Sequence, residues 1–246
     1  MTSLSLNSNL SPDAISRALK VIREIKRRDK QRAFYRLFPE EGKLSRHNYT
    51  KHMEFFKAGS IHKERLFMAG NRVGKTEAGG YETTCHLTGL YPDWWEGHTF
   101  DKPIMALAAG DTGQTTRDVI QTKLLGGIWD SDDWGTGIIP GECLDMKPVL
   151  KQGVPKAYEE VQIKHVSGGY STLKLRSYDQ GRRIFQGFEL DWFWADEEIP
   201  KEVYDEGLMR TMTTGGLTMM TFTPLNGLTE LVLSFMESMN EQVPVV

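Results

Sequence analysis

The stretch that most constrains this chain is Arg65–Gly80, with the sequence RLFMAGNRVGKTEAGG. Its apolar run, Leu66–Ala69, predicts a short buried strand, and Gly70 and Gly74 predict a tight turn. A helix is expected to begin at Lys75. A strand, a glycine-containing turn and a helix in this order match the phosphate-binding loop, with an alanine in place of its first glycine.

The chemistry of such a loop assigns roles to its residues. Its backbone N–H groups converge on phosphate at a helix N-terminus. Lys75 is expected to reach the β- and γ-phosphates of a nucleotide, and Thr76 to place its hydroxyl on Mg²⁺. The alternative is a strand-to-helix turn that binds nothing. The candidate nucleotide-binding residues in the loop are Gly70, Asn71, Arg72, Val73, Gly74, Lys75, Thr76 and Glu77.

A second apolar run, in LDWFWADEEIP at Leu190–Pro200, ends in carboxylates. A carboxylate at the carboxyl end of a strand lies where a phosphate loop also opens, so Asp196 can hold the Mg²⁺ shell. Glu197 can then orient or deprotonate the attacking water. The alternative is an acidic helix N-terminus. Together with the Gly-Lys-Thr turn, this acidic strand favours nucleotide hydrolysis.

A third strand is predicted in GGLTMMTFTP, at Gly215–Pro224. It ends in two hydroxyl residues, Thr221 and Thr223. A hydroxyl at the strand tip can hydrogen-bond the attacking water or the γ-phosphate and change partners after hydrolysis. Threonine is also a good strand residue without any such role.

Strands alternate with helices along the chain, which predicts an α/β fold with a mostly parallel central sheet flanked by helices. The predicted strands are Leu66–Ala69, Ile104–Ala109, Trp192–Ala195 and Leu217–Phe222, with a hairpin formed by Val161–Val166 and Ser171–Ser177. The predicted helices of this core cover residues 48–58, 75–87 and 115–125.

Residues 1–47 are predicted to form an N-terminal helical extension, and residues 48–246 the core. Ser11 can cap a helix that begins at Pro12. The helix turns strongly basic toward its end, which indicates either a solvated face or a contact with DNA phosphates or a partner. Its apolar residues at helical spacing are Ile15, Leu19, Ile22 and Ile25, and its basic residues are Arg23, Lys26, Arg27, Arg28, Lys30, Arg32 and Arg36.

Composition limits the cellular setting. The chain has 246 residues, and its net charge of −3 does not mark it as a nucleic-acid binder. Two cysteines are too few for a disulfide framework, which fits a reducing cytosol. No apolar run approaches the roughly 20 residues that span a bilayer, so a soluble protein without a membrane partner is expected.

Five segments together resemble the large terminase subunit of tailed bacteriophages, the motor that packages DNA into procapsids. The resemblance runs from about Tyr49 to Gly227, and it implies an additional-strand (ASCE) P-loop NTPase core. The implied function is an ATPase that hydrolyses ATP on Mg²⁺ and drives translocation of double-stranded DNA into the procapsid. The segments are HMEFFKAG, RLFMAGNRVGKTEAG, LTGLYPDWWEG, SYDQGRRIFQGFELDWFWADEEIP and TFTPLNG.

The resemblance also implies roles for individual residues. Lys75 and Thr76 would bind phosphate and metal, Asp196 would bind metal, and Glu197 would be the catalytic carboxylate. The tip Thr221–Pro224, with both threonines, would couple hydrolysis to movement.

Arg72 matches an arginine that the family places within its loop. There it can stabilise γ-phosphate charge in cis, or it can be a solvent-facing residue at the tip of the turn.

The family binds adenine with residues that precede the loop. Here the residues of that region are Tyr49, His52, Phe55, Phe56 and Arg65. An aromatic side chain can stack on the base, although core packing is the alternative for the phenylalanines.

Ring motors also use an arginine from a neighbouring subunit. Where some terminases have Arg-Gly, this chain has Gln186-Gly187. Arg182, Arg183 and Arg210 remain candidates, and each can equally be a surface residue.

The implied partners are double-stranded viral DNA, the portal protein of the procapsid and the small terminase subunit. The chain is expected to form a ring on the portal, to be a monomer in isolation, and to work in the host cell cytoplasm while transiently docked on the procapsid. The C-terminal nuclease domain of the family is expected to be absent, so DNA cleavage is not expected. The alternatives are a helicase-like DNA translocase and a non-hydrolysing nucleotide-binding scaffold of the packaging complex.

Overall fold

A computed structural model describes residues 11–224, 227 and 229–239. Seven strands form one sheet in the order β1-β7-β6-β2-β5-β4-β3. The first five strands of that order are parallel, and β4 and β3 add an antiparallel edge. The strands are β1 (Glu64–Met68), β2 (Met105–Gly110), β3 (Val149–Leu150), β4 (Tyr158–Lys164), β5 (Tyr170–Ser177), β6 (Trp192–Asp196) and β7 (Leu217–Phe222).

Helices cover both faces of the sheet. The α-helices are α1 (Pro12–Lys30), α2 (Thr50–Ala58), α3 (Lys75–Thr88), α4 (Gly113–Thr115), α5 (Thr122–Leu125), α6 (Lys201–Met212) and α7 (Glu230–Met239). Short 3₁₀ helices cover Phe34–Arg36, Arg46–Asn48, Ser131–Asp133, Gly141–Cys143, Tyr178–Gln180 and Arg182–Phe185. In the part of the chain that the structure describes, no helix has the length and apolar character needed to cross a membrane.

The central strands are buried on both faces. Every residue of β6 and β7 is buried, which explains why their sequences are nearly continuous apolar runs. β5 instead begins with the exposed Tyr170 and then alternates between buried and half-buried residues, as expected of a strand with one face on the core. Two apolar clusters fill the two sides of the sheet, one under α2 and α3 and the other under α6 and α7.

β7 lies between β1 and β6, so the strand before the phosphate loop and the acidic strand are not neighbours. This inserted strand confirms the additional-strand core that the resemblance implied. Asp196 pairs with Thr221, and Met68 pairs with Phe222. The carboxyl ends of β1, β7 and β6 therefore meet at one edge of the sheet.

The predicted helix over 115–125 is not a regular α-helix. A π-helical segment, Thr116–Gln121, separates α4 from α5. The Thr122 hydroxyl donates to the carbonyl of Arg117, five residues earlier, and the Thr116 hydroxyl donates to the carbonyl of Thr112. Such side-chain bonds compete with the regular backbone ladder and accompany its distortion.

The N-terminal extension has two parts with different surroundings. α1 begins after Ser11, whose hydroxyl accepts from the backbone N–H of Ala14, and it has no buried residue. The chain after α1 returns to the core. Phe34 stacks on Tyr81 of α3 at 4.8 Å, and Phe38 meets the same ring edge-on at 5.0 Å. The domain boundary at residues 47 and 48 stays a prediction, but these aromatic contacts cross it.

Candidate nucleotide site

The turn between β1 and α3 has the backbone that its sequence predicts. Gly74 has φ 88°, in the left-handed region that favours glycine. A Cβ at Gly74 would also lie 3.2 Å from His52 Nε2, so the turn packs closely on α2. Arg72 adopts φ 62°, an uncommon conformation for a residue with a side chain, and it is exposed at the outer edge of the turn.

Lys75 is folded back over the turn. Its Nζ donates to the Gly70 carbonyl at 2.7 Å and to Thr223 Oγ1 at 2.9 Å. Thr223 Oγ1 in turn donates to Asn71 Oδ1 at 2.8 Å. The lysine of the loop and the second threonine of the β7 tip are therefore in direct contact.

Asp196 is the buried carboxylate of the site, with 2% of its surface exposed. Thr76 Oγ1 lies 3.2 Å from each of its carboxylate oxygens, and Thr221 Oγ1 donates to Oδ1 at 2.6 Å. Burial raises the pKa of Asp196 to about 6, while the Thr221 hydrogen bond acts in the opposite direction. The residue pair that the sequence assigned to metal, Thr76 and Asp196, is brought together.

Glu197 follows in a strained conformation and projects outward. Its φ is 68°, and its backbone N–H donates to the Thr221 carbonyl at 2.8 Å. Non-glycine residues in the left-handed region cost about 1–3 kcal/mol and concentrate at functional sites. The exposed side chain lines a cleft of about 410 Å³ together with Asp196, Asp111 and Thr223.

The donor set of the site fits a hard cation. A threonine hydroxyl and one carboxylate are oxygen ligands of the kind that Mg²⁺ prefers, and that ion usually takes its remaining ligands from water and substrate phosphate. The site therefore suits a metal that arrives with a phosphate ligand.

A second cleft, of about 460 Å³, lies beside the turn and has the dimensions of a ligand pocket. Two of the residues predicted to bind the base, Tyr49 and His52, line it. Burial lowers the pKa of His52, so the imidazole next to the turn is neutral at pH 7. The other lining residues are Leu37, Phe38, Leu44, Arg72, Val73, Gly74 and Glu77.

Two other residues predicted to contact the base, Phe55 and Arg65, do not line this cleft, and the structure places both in the core at 1% exposure. The Arg65 guanidinium pairs with Glu82 of α3 at 2.7 and 3.1 Å and donates to the Phe55 carbonyl at 2.8 Å. It also lies over the Phe55 and Trp192 rings. Arg65 thus joins β1 to α3, the two elements that flank the loop.

Three pocket residues were missed by the sequence analysis: Leu37, Phe38 and Leu44. They lie in the extension, in and beside a segment that has the composition of a linker. The run AFYRLFP, with three large apolar side chains before a proline, is the signal that this segment packs on the core.

Glu77 and the three arginines predicted as candidates for contact with a neighbouring subunit have other surroundings in the structure. Glu77 pairs with Lys123 at 2.6 Å, although it also lines the pocket. The Arg210 guanidinium is bound to Glu206 on the same helix, whereas Arg182 and Arg183 are exposed on a 3₁₀ turn. The two arginines on the turn are therefore more exposed than Arg210.

Tyr178 was not predicted, yet it contacts the acidic strand. Its buried hydroxyl lies 2.8 Å from the Ala109 carbonyl and 2.9 Å from the Asp196 carbonyl. Burial raises its pKa well above the ordinary value, so the phenol stays protonated and acts as a donor. Tyr178 therefore holds the tips of β2 and β6 together.

The fold and this site define an α/β core of the P-loop NTPase type. Residues 66–242 match the family model described as terminase large subunit, T4likevirus-type, N-terminal. The chain belongs to the large terminase family and corresponds to its N-terminal region.

One sequence relative supports the family, and two solved structures support the fold. The chain is 34% identical over 215 residues to the terminase large subunit of Salmonella phage P22, a match that covers 80% of this chain and 43% of that protein. Crystal structures of the large terminase from a thermophilic bacteriophage match with TM-scores of 0.51 and, for the complex with ADP, 0.50. Their sequence identities are 12% and 14%, and each match covers 78% of this chain and 42% of the other, so they support the fold.

Proposed function

We propose that this chain is the ATPase motor domain of a viral large terminase, which hydrolyses ATP on Mg²⁺ to drive double-stranded DNA into the procapsid. One observation carries the proposal: Thr76 of the loop contacts the Asp196 carboxylate at 3.2 Å, with Lys75 and Glu197 adjacent to them in the chain. Phosphate, metal and water ligands thus meet at one sheet edge. The ADP complex of the thermophilic phage terminase supports nucleotide binding by this fold.

The residues divide the work of hydrolysis between them. Lys75 binds the β- and γ-phosphates, and Arg72 at the tip of the turn adds a second positive charge in cis. Thr76 and Asp196 would hold Mg²⁺, which neutralises charge on the phosphates when bound. Glu197 faces the open cleft and orients the attacking water or accepts its proton.

The contacts of the β7 tip support a coupling role. Thr223 contacts the phosphate lysine, and Thr221 contacts the metal carboxylate. A change in the contacts of Lys75 or of Asp196 would therefore act on the same strand, β7, which α7 follows in the chain.

The remaining partners follow from family membership. We propose that the chain acts in the host cytoplasm, docked as a ring on the portal protein, with the small terminase subunit and viral DNA. In that ring, Arg182 or Arg183 would contact the nucleotide of a neighbouring subunit.

ATP turnover and ATPγS affinity of wild type, Lys75→Ala and Glu197→Gln test the proposal. Lys75→Ala is expected to lose both, and Glu197→Gln to bind ATPγS while losing turnover by about 100-fold or more. Lys63→Ala is the matched control, because Lys63 lies before β1 at the opposite sheet edge and bonds the Gly215 carbonyl. Equal turnover in all variants would refute the assignment.

A further inference from the structure

We propose that Trp194 is a positioning residue for the metal-binding carboxylate of Asp196 and acts through the hydroxyl of Thr221. The proposal rests on the proposed function, because it assigns a role at the same site. Trp194 lies on β6, two residues before Asp196, and the sequence analysis gave it no role beyond an apolar strand.

The three side chains form one continuous buried chain of hydrogen bonds. The Trp194 indole Nε1 donates to Thr221 Oγ1 at 2.8 Å, and Thr221 Oγ1 donates to Asp196 Oδ1 at 2.6 Å. Their exposed fractions are 0%, 1% and 2% in that order. The bond between Trp194 and Thr221 is therefore shielded from water, while Asp196 also borders the cleft that Glu197 lines.

The direction of the chain is determined by the donor groups. An indole N–H can only donate, whereas a hydroxyl has one proton to donate and lone pairs that accept. Since the indole can only donate and an ionised carboxylate can only accept, Thr221 Oγ1 accepts from Trp194 and gives its proton to Asp196. Trp194 thereby fixes the position of the Thr221 hydroxyl, which binds Oδ1 of Asp196.

Thr76 cannot perform the same task. It lies at a longer distance, 3.2 Å from both carboxylate oxygens, and it is itself the expected metal ligand. Among the residues that the structure describes, the Thr221 hydrogen bond is therefore the side-chain contact to the Asp196 carboxylate that does not depend on the metal.

The Trp194 indole also packs closely against α3. A Cβ at Gly79, four residues after Lys75, would lie 2.5 Å from Trp194. The absence of a side chain there lets the indole lie against the helix that carries the loop residues. Trp194 thus contacts the loop helix, the β7 tip and, through Thr221, the metal carboxylate.

Trp192 provides a matched control on the same strand. It is also fully buried, and its indole donates to a threonine hydroxyl, Thr83 Oγ1, at 2.9 Å. Thr83 lies in the middle of α3 and makes no hydrogen bond to the site residues among those described. Trp192→Phe and Trp194→Phe therefore remove equivalent groups, of which one is connected to Asp196.

The test is the affinity for ATPγS in EDTA and at saturating Mg²⁺, measured by calorimetry on the 246-residue chain. We expect Trp194→Phe to reduce the Mg²⁺-dependent gain in affinity by about tenfold, as for other residues that orient a metal ligand, with the affinity in EDTA unchanged. Trp192→Phe should keep the full Mg²⁺-dependent gain, and its unfolding temperature should be similar to that of Trp194→Phe. Thr221→Val should match Trp194→Phe, and the double variant should lose no more, because the groups act in series.

The outcomes separate the two proposals. A Mg²⁺-dependent gain in wild type that is equal in both tryptophan variants overturns the role of Trp194 alone. No Mg²⁺-dependent gain in wild type overturns the proposed function together with this inference. If Trp194→Phe does not fold, Thr221→Val decides, and a full gain in that variant overturns the inference.

Discussion

Replacing Arg65 by methionine distinguishes the sequence-based role of this residue from the structural one. Arg65 is 1% exposed and its partner Glu82 is 0% exposed, and two hydrogen bonds join the guanidinium to the carboxylate. Methionine fills much of the volume but leaves the Glu82 carboxylate buried without its cation. Removing one partner of a buried pair costs about 3–5 kcal/mol.

For a chain of this length, that loss lowers the unfolding temperature by roughly 10 °C. The assay is thermal unfolding followed by circular dichroism, with ATPγS affinity measured well below the transition. We expect a large stability loss and nearly unchanged affinity, because Arg65 does not line the pocket. A double variant, Arg65→Met with Glu82→Leu, should recover most of the stability, since it leaves no unpaired charge.

The opposite pattern would refute this account. If Arg65→Met unfolds at the wild-type temperature but binds ATPγS much more weakly, Arg65 is a base-binding residue and the buried Arg65–Glu82 pair does not stabilise the fold.

Three further predictions concern the same core. Arg65 holds the pKa of Glu82 below its ordinary value despite burial. The stability that Glu82 contributes is therefore lost as the pH falls through its folded pKa. The difference in unfolding free energy between wild type and Glu82→Gln should shrink in acid for this reason. Gly79→Ala places a Cβ against Trp194 and should cost about 1–3 kcal/mol in denaturant unfolding, and an unchanged midpoint would contradict this packing. Thr223→Val removes a hydrogen bond that Lys75 exchanges on binding phosphate, so ATPγS should bind equally or more tightly in calorimetry, and weaker binding would contradict that exchange.

Much of the strand content could be predicted from the sequence. β7 has the predicted bounds, Leu217–Phe222, and β6 extends the predicted strand by one residue to Asp196. These strands are buried on both faces, so their apolar runs are long and clear. The strand order could not be read in the same way, because it depends on pairing between residues far apart in the chain.

The site was predicted unevenly for a related reason. Loop and strand-tip residues such as Lys75 and Asp196 carry local signals, a glycine turn and a carboxylate after an apolar run. The burial of Arg65 depends on Glu82, 17 residues later, which no local pattern shows. Leu37 and Leu44 reach the pocket only because the extension folds back on α3.

A crystal structure of the chain with ATPγS and Mg²⁺ tests the central claim most directly. The account predicts that Lys75 Nζ leaves Thr223 for the β- and γ-phosphates, that Thr76 and Asp196 lie at the metal, and that the base occupies the cleft beside Tyr49. A nucleotide bound elsewhere, with Lys75 still on Thr223 and no metal near Asp196, would contradict it.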